Sequence, residues 1–135
     1  MIEFTWPVRV YYEDTDAGGV VYYANYLKYL ERARTEFLRK LGFELDKLAS
    51  EENIIFIVRK VTIDYLKPAY FNELLKVNAK LDELRKASML FQQAILNQQE
   101  EYICQAEIKI ACVNQTTLKP VTIPEFITSE LDHVD

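Results

Sequence analysis

Histidine and cysteine, the side chains on which metal and nucleophilic centres most often draw, are nearly absent: one His and two Cys in 135 residues. His133 stands in the tail, where chains fray, and no catalytic duty is expected of it. Cys104 and Cys112 share one segment at even spacing, so they are expected as two buried thiols on one face of a strand rather than a disulfide framework or a CxxC metal site. Glycine and proline are scarce, 3 and 4. Little material remains for linkers, and one domain over residues 1–135 is expected. Basic charge is in deficit, 16 Lys and Arg against 21 Asp and Glu for a net charge of −5, which argues against general nucleic-acid binding because a polyanion needs a basic footprint. Long apolar runs are missing, and Met1-Ile2-Glu3-Phe4-Thr5-Trp6-Pro7 carries no basic segment followed by an apolar stretch. No integral membrane segment is expected, and a cytoplasmic location follows by default. What is plentiful is core material: 50% hydrophobic and 13% aromatic residues.

The pattern of that material predicts an α+β domain. Trp6 to Tyr12, with Val8 and Val10 alternating against Arg9, reads as a strand, and Pro7 puts its start at an edge. From Tyr22 to Lys40 the period lengthens. Leu27, Leu30, Ala33, Phe37 and Leu41 recur at helical spacing opposite Lys28, Glu31, Arg32, Thr35, Glu36 and Arg39, and Gly42 closes the helix. A polar connection is expected from Asp46 to Asn53, then a well-buried strand from Ile54 to Tyr65 ended by Pro68. Leu75 to Asp82 and Met89 to Ile95 alternate around a charged hairpin turn at Glu83 to Ala87. Cys104, Ala106, Ile108, Ile110 and Cys112 face one way and Gln105, Glu107 and Lys109 the other, after a turn at Asn97 to Glu101. A short helix is expected around Pro124 to Leu131. Strands in a run after one helix call for an antiparallel sheet that covers it.

Chemistry concentrates in Glu13-Asp14-Thr15-Asp16-Ala17-Gly18-Gly19, an acidic turn between the first strand and the long helix. As a calcium loop it fails: position five of the ligand pattern falls on Gly18, and position twelve on Asn25 in place of a bidentate Glu. As a purely structural turn it is ordinary, with Asp side chains capping N–H groups and Gly taking positive φ. As a catalytic element it offers a carboxylate that attacks or activates water, beside helix N-terminal amides around Tyr22 to Ala24 that receive an oxyanion.

The run from Val8 to Tyr22, Val8-Arg9-Val10-Tyr11-Tyr12-Glu13-Asp14-Thr15-Asp16-Ala17-Gly18-Gly19-Val20-Val21-Tyr22, with Tyr26 and Glu31-Arg32-Ala33-Arg34-Thr35-Glu36 after it, resembles a family signature. It is that of the YbgC-type acyl-CoA thioesterases, of the 4-hydroxybenzoyl-CoA thioesterase group. The similarity runs from about Trp6 to Phe126. The resemblance implies a hotdog fold, a five-stranded antiparallel sheet wrapped around one long central helix. It also implies hydrolysis of an acyl-CoA thioester with no metal and no bound cofactor.

By the same resemblance, Asp16 is the catalytic carboxylate, Asp14 a turn or positioning residue, and the N–H of Tyr23 the group that polarises the thioester carbonyl. Gly19, Val20, Tyr22 and Tyr26 are the substrate-binding candidates around them. The position after Tyr22 is often His in such proteins. A phenol with its ordinary pKa of about 10 cannot act in its place as a base at neutral pH, so a His-assisted route is in doubt. Arg85, Lys86 and Ser88 match a basic turn that contacts the nucleotide end of CoA. Arg59 and Lys60 are a second basic candidate, but strand alternation sends them to opposite faces and admits at most one of them. The family is dimeric or tetrameric, so a homo-oligomer, with a homotetramer among the possibilities, is expected to place its sites between subunits. Tyr65, Tyr70, Phe71 and the Tyr22, Tyr23, Tyr26 cluster are expected to line an acyl pocket or to fill that interface. The rival reading is a non-catalytic hotdog protein that binds an acyl chain or an acyl carrier protein. A hotdog dehydratase would need a His near the helix, where this chain has none.

Overall fold

The computed structural model describes residues 3–132; His133, named above, lies outside them. In chain order come β1 (Glu3–Arg9), a 3-10 turn (Tyr12–Asp14), α1 (Asn25–Lys40), α2 (Leu45–Glu52), β2 (Ile54–Tyr65), β3 (Leu74–Leu84), β4 (Ser88–Leu96), β5 (Tyr102–Asn114) and α3 (Glu125–Asp132). The strands form one antiparallel sheet in the order β1-β3-β4-β5-β2. It carries α1 against β1, β3 and β4. This is the expected hotdog arrangement, a sheet around one long helix.

The helix forms because apolar side chains return every three or four residues: Tyr26, Tyr29, Leu30, Ala33, Phe37 and Leu38 are buried. Burying each large one removes about 1.5–3 kcal/mol of apolar exposure. Phe37 sets its ring against Phe4 of β1 at 6.1 Å and Phe91 of β4 at 5.6 Å, so one side chain ties helix to sheet. Leu27, expected on this face, is 38% exposed. Tyr26 takes the inward position, where its hydroxyl accepts a hydrogen bond from the Ala69 N–H at 3.0 Å. Gly42, at φ 99°, ends the helix as expected, and no helix among the described residues is long and apolar enough to cross a membrane.

Other expectations shift. β1 begins at Glu3 and ends at Arg9, before Tyr12; it is an edge strand, as Pro7 requires. The connection at Asp46 to Asn53 is the helix α2, ended by Asn53 in the left-handed region at φ 57°. Only Leu48 of α2 is buried, so its apolar stripe is too thin to stand out in the sequence. β2 has the span expected of it but is the opposite edge of the sheet, and Val58 and Val61 are 47% and 37% exposed. Its β-branched composition marks a strand without distinguishing an edge from a centre. β5 alternates as expected: Cys104, Ala106, Ile108, Ile110 and Cys112 are buried and both thiols are free.

Candidate active site

Between β1 and α1 the acidic segment folds into a tight hairpin. Thr15 bridges Val21, the Asp16 N–H donates to the Val20 carbonyl at 2.9 Å, and the Gly19 N–H returns to the Asp16 carbonyl at 3.0 Å. Gly19 closes this loop at φ 81°, a conformation that L side chains rarely adopt. The Asp16 carboxylate is exposed and is oriented through one oxygen, Oδ1, which accepts the Gly18 N–H at 2.8 Å. A Cβ on Gly18 would stand 3.2 Å from that oxygen. Both glycines therefore serve the carboxylate: one closes the loop, and the other lets it lie against the main chain.

Asp14 holds the next layer. Its Oδ2 accepts the Tyr11 N–H at 2.8 Å. Its carbonyl accepts the Tyr22 N–H at 2.9 Å and the Asn25 Nδ2 at 2.9 Å. The side chain of Asn25 is a positioning contact the sequence reading missed; an Asn on the first turn of a helix was the available signal. Tyr29, buried beneath this turn, keeps a hydroxyl with no hydrogen-bond partner among the described residues. Burial, then the neighbouring Asp14, raises its pKa.

These bonds decide which amides remain. α1 starts at Asn25 rather than Tyr22, and the Tyr22 N–H is spent on Asp14, so that amide leaves the set expected to receive an oxyanion. Asn25, Tyr26 and Leu27 donate back to the carbonyls of Tyr22, Tyr23 and Ala24. Among the described residues the N–H groups of Tyr23 and Ala24 have no acceptor. Two unspent donors at the positive end of a helix favour a negatively charged oxygen.

Aromatic side chains surround this turn. The exposed ring of Tyr23 meets Tyr22 at 4.9 Å and Tyr65, at the end of β2, edge-on at 5.9 Å. Tyr26 also meets Tyr65, at 5.8 Å. The neighbouring Tyr23 phenol, more than burial, holds the Tyr22 phenol above its usual range, whereas burial is the main cause at Tyr65. Val20 bridges Tyr70, and the Val21 N–H donates to the Ala69 carbonyl, so the hairpin is tied to the chain that follows β2. Exposed Phe71 packs on Tyr12 at 5.7 Å.

The basic turn lies elsewhere. Tyr65 pairs with Cys104 of β5 and Ser88 with Ala111. Between those two positions the strand climbs about 23 Å at the ordinary rise per residue. One chain therefore brings Asp16, Gly19, Val20, Tyr22, Tyr23 and Tyr26 together, but holds Arg85, Lys86 and Ser88 at the far end of the sheet. Arg85 is paired with Glu83 at 3.1 Å, and the Lys86 carbonyl accepts the Ile123 N–H. A groove of about 290 Å³ runs from Arg85 and Ser88 across β4 and β5 to Lys60. Val58 pairs with Ile110 and Lys60 with Lys109, so Arg59 is the extra residue of a bulge. Strict alternation, which would separate Arg59 and Lys60, fails there, and the bulge turns Lys60 outward into the groove.

Residues 10–131 match the family model of the thioesterase-like superfamily. The chain is 43% identical to the acyl-CoA thioesterase YbgC of Haemophilus influenzae over 131 residues, which cover 97% of this chain and 96% of that one. It is also 43% identical to the acyl-CoA thioester hydrolase YbgC of Escherichia coli, over 94% of each. Among solved structures, a probable thioesterase from Bartonella henselae superposes with a TM-score of 0.87 at 37% identity, over 91% of this chain and 100% of that one. Sheet order, acidic hairpin and these likenesses agree: the chain belongs to the thioesterase-like superfamily, among the YbgC-type acyl-CoA thioesterases of the hotdog fold.

Proposed function

We propose that this protein hydrolyses acyl-CoA thioesters to the free acid and CoA. In this reading the Asp16 carboxylate acts, and the Tyr23 N–H takes the developing oxyanion. The observation that carries the reading is the pairing of an exposed carboxylate, fixed through one oxygen only, with a helix start whose Tyr23 and Ala24 amides are unspent. If the free oxygen of Asp16 attacks the carbonyl carbon, the thiolate of CoA leaves and an acyl-aspartyl anhydride forms, which water then cleaves. If Asp16 instead takes a proton from water, the hydroxide attacks and CoA leaves in one displacement. Either way negative charge grows on the carbonyl oxygen, and an N–H aimed there gains strength in the transition state. Gly19, Val20, Tyr22 and Tyr26 border the reacting group, and the phenol cluster receives the acyl part.

The other half of the substrate calls for a second copy of the chain. Arg85, Lys86 and Ser88 serve the CoA phosphates in this reading, yet they lie too far along the sheet from Asp16 of their own chain to frame one small site. β2 leaves an unpaired edge with exposed Val58 and Val61, the kind of edge that pairing between subunits covers. A homo-oligomer, dimer or tetramer, with sites between subunits follows, and sedimentation equilibrium reads its size.

One observation favours the rival reading, a non-catalytic acyl-chain or acyl-carrier-protein binder: the Asp16–Gly18 bond is also ordinary turn chemistry. Release of CoA thiol from short, long and aromatic acyl-CoAs, by wild type and by Asp16→Asn, separates the two. Asparagine keeps an oxygen for the Gly18 N–H, so the turn persists while the charge is lost. The expected result is a fall in kcat of about 10²-fold or more. Equal turnover by both proteins overturns the mechanism, and binding without turnover by wild type favours the rival.

A further inference from the structure

The bulge in β2 makes Lys60 and Lys109 direct cross-strand neighbours on the outer face of the sheet. Were Arg59 paired in regular register with Lys109, Lys60 would fall opposite Ile108, whose side chain is buried. Like charges directly opposite on adjacent strands repel, and folding gains nothing from the arrangement. Neither ammonium group has an ion-pair partner among the described residues. Two carboxylates line the same groove, Glu83 paired with Arg85 at 3.1 Å and Glu107, which keeps its charge while accepting from the neutral Gln92 Nε2 at 2.8 Å, so cations outnumber anions there by one. The groove thus collects the cations Lys60, Lys109 and Arg85 beside the Ser88 side chain, in a volume near the lower end for small-molecule sites.

We propose that Lys60 and Lys109 form a binding site for a phosphate monoester dianion, which in the substrate is the 3′-phosphate at the nucleotide end of CoA. The assignment to CoA rests on the acyl-CoA reading above. A dianion with three terminal oxygens accepts from two ammonium groups at once and relieves their repulsion, which a carboxylate on one side of the pair would do less completely. The groove continues the Arg85–Ser88 turn, so one nucleotide end can reach both. The same phosphate chemistry would also suit a free phosphate ester, and the experiment separates the two sources.

The test measures binding without turnover, by titration calorimetry of CoA, 3′-dephospho-CoA and inorganic phosphate into the full-length protein. Wild type is compared with Lys60→Gln, Lys109→Gln and their double variant, with Lys47→Gln on α2 as a control. Wild type is expected to bind CoA about tenfold more tightly than dephospho-CoA, a preference that shrinks in each single variant and vanishes in the double one. Lys47→Gln is expected to keep it. Equal binding of CoA and dephospho-CoA by wild type overturns the proposal, as does a loss that falls equally on both ligands. Phosphate binding that disappears in the double variant while the preference for CoA survives assigns the site to a free phosphate and overturns its place in the substrate. Because no hydrolysis is measured, a protein that fails to turn over acyl-CoA would refute the proposed reaction without deciding this result.

Discussion

The N–H of Gly18 donates to Oδ1 of Asp16 at 2.8 Å, and the missing Cβ of Gly18 would lie 3.2 Å from that same oxygen. A methyl group there leaves the backbone acceptable but makes the carboxylate turn aside by a few tenths of an ångström. Gly18→Ala is therefore expected to lower kcat about tenfold while leaving stability within about 0.5 kcal/mol, since reduced freedom of the unfolded chain offsets the crowding. Steady-state kinetics together with a urea melt check it. Unaltered kcat would mean that the reaction does not depend on this setting of the carboxylate.

Gly19→Ala should separate the other way. The strain is in the backbone, at φ 81°, and no side chain crowds it, so the cost is about 1–2 kcal/mol of stability. The urea midpoint reports the loss, and an undiminished midpoint would show the loop closing without a left-handed residue.

Asp14 acts through both its side chain and its main chain. Asp14→Ala removes the acceptor for the Tyr11 N–H but keeps the carbonyl that holds Tyr22 and Asn25. A loss of about 1 kcal/mol is expected, with a smaller kinetic defect than that of Asp16→Asn. Equal kinetic damage from the two changes would contradict the division of labour between them.

Gln93 is the hinge pin between helix and sheet. Its Oε1 accepts from Arg34 Nη1 at 2.9 Å, and its Nε2 donates to the carbonyls of Leu30 and Asn78 at 3.0 and 3.1 Å. Arg34 is only 7% exposed, and burial, against the opposing pull of Glu31, pushes its pKa down. Gln93→Leu strands that cation and removes the amide donor shared by the two carbonyls, and is expected to cost about 3 kcal/mol. Gln93→Glu gives Arg34 a charged partner and should cost less. A lower denaturation midpoint at constant urea slope is the signature to look for.

Alkaline stability follows the thiols. Burial pushes Cys104 up to about 12 from an ordinary value of 9.0, and raises Cys112 as well. The folded state keeps these protons longer than the unfolded state, so their contribution is fully present below pH 9 and is lost progressively as pH rises from there towards 12. Buried Tyr26 adds to the same limb above pH 10. Urea midpoints followed from pH 8 upward should fall, and the double change of Cys104 and Cys112 to Ala should flatten the fall while lowering the whole curve. A slope unaffected by removing the thiols would assign the limb to other groups.

The elements that were legible in the sequence are those whose buried side chains recur with one period. β5 alternates over its length, and α1 repeats every three or four residues, so both were readable, although the exact face of α1 was set by Tyr26 and its bond to Ala69. α2 buries a single leucine and left only the Asn53 stop as a signal. The bulge at Arg59 depends on how β2 registers against β5, which a strand's own residues do not encode, and so the outward turn of Lys60 was hidden. At the site, the acidic loop and its glycines were plain to read. The free amide of Tyr23 depends on a bond between the Tyr22 N–H and a carbonyl eight residues earlier, and only the folded chain reveals that bond.

An N–H of the main chain survives every substitution at position 23 except proline. The donor at the start of α1 is therefore independent of the ring that stands beside it, and the side chain there can change from phenol to imidazole or to an aliphatic group without taking the donor away. On the proposed mechanism, substitution at this position can reshape the aromatic wall while the proposed oxyanion donor stays constant. In that reading, reactivity and selectivity fall to different parts of the same residue.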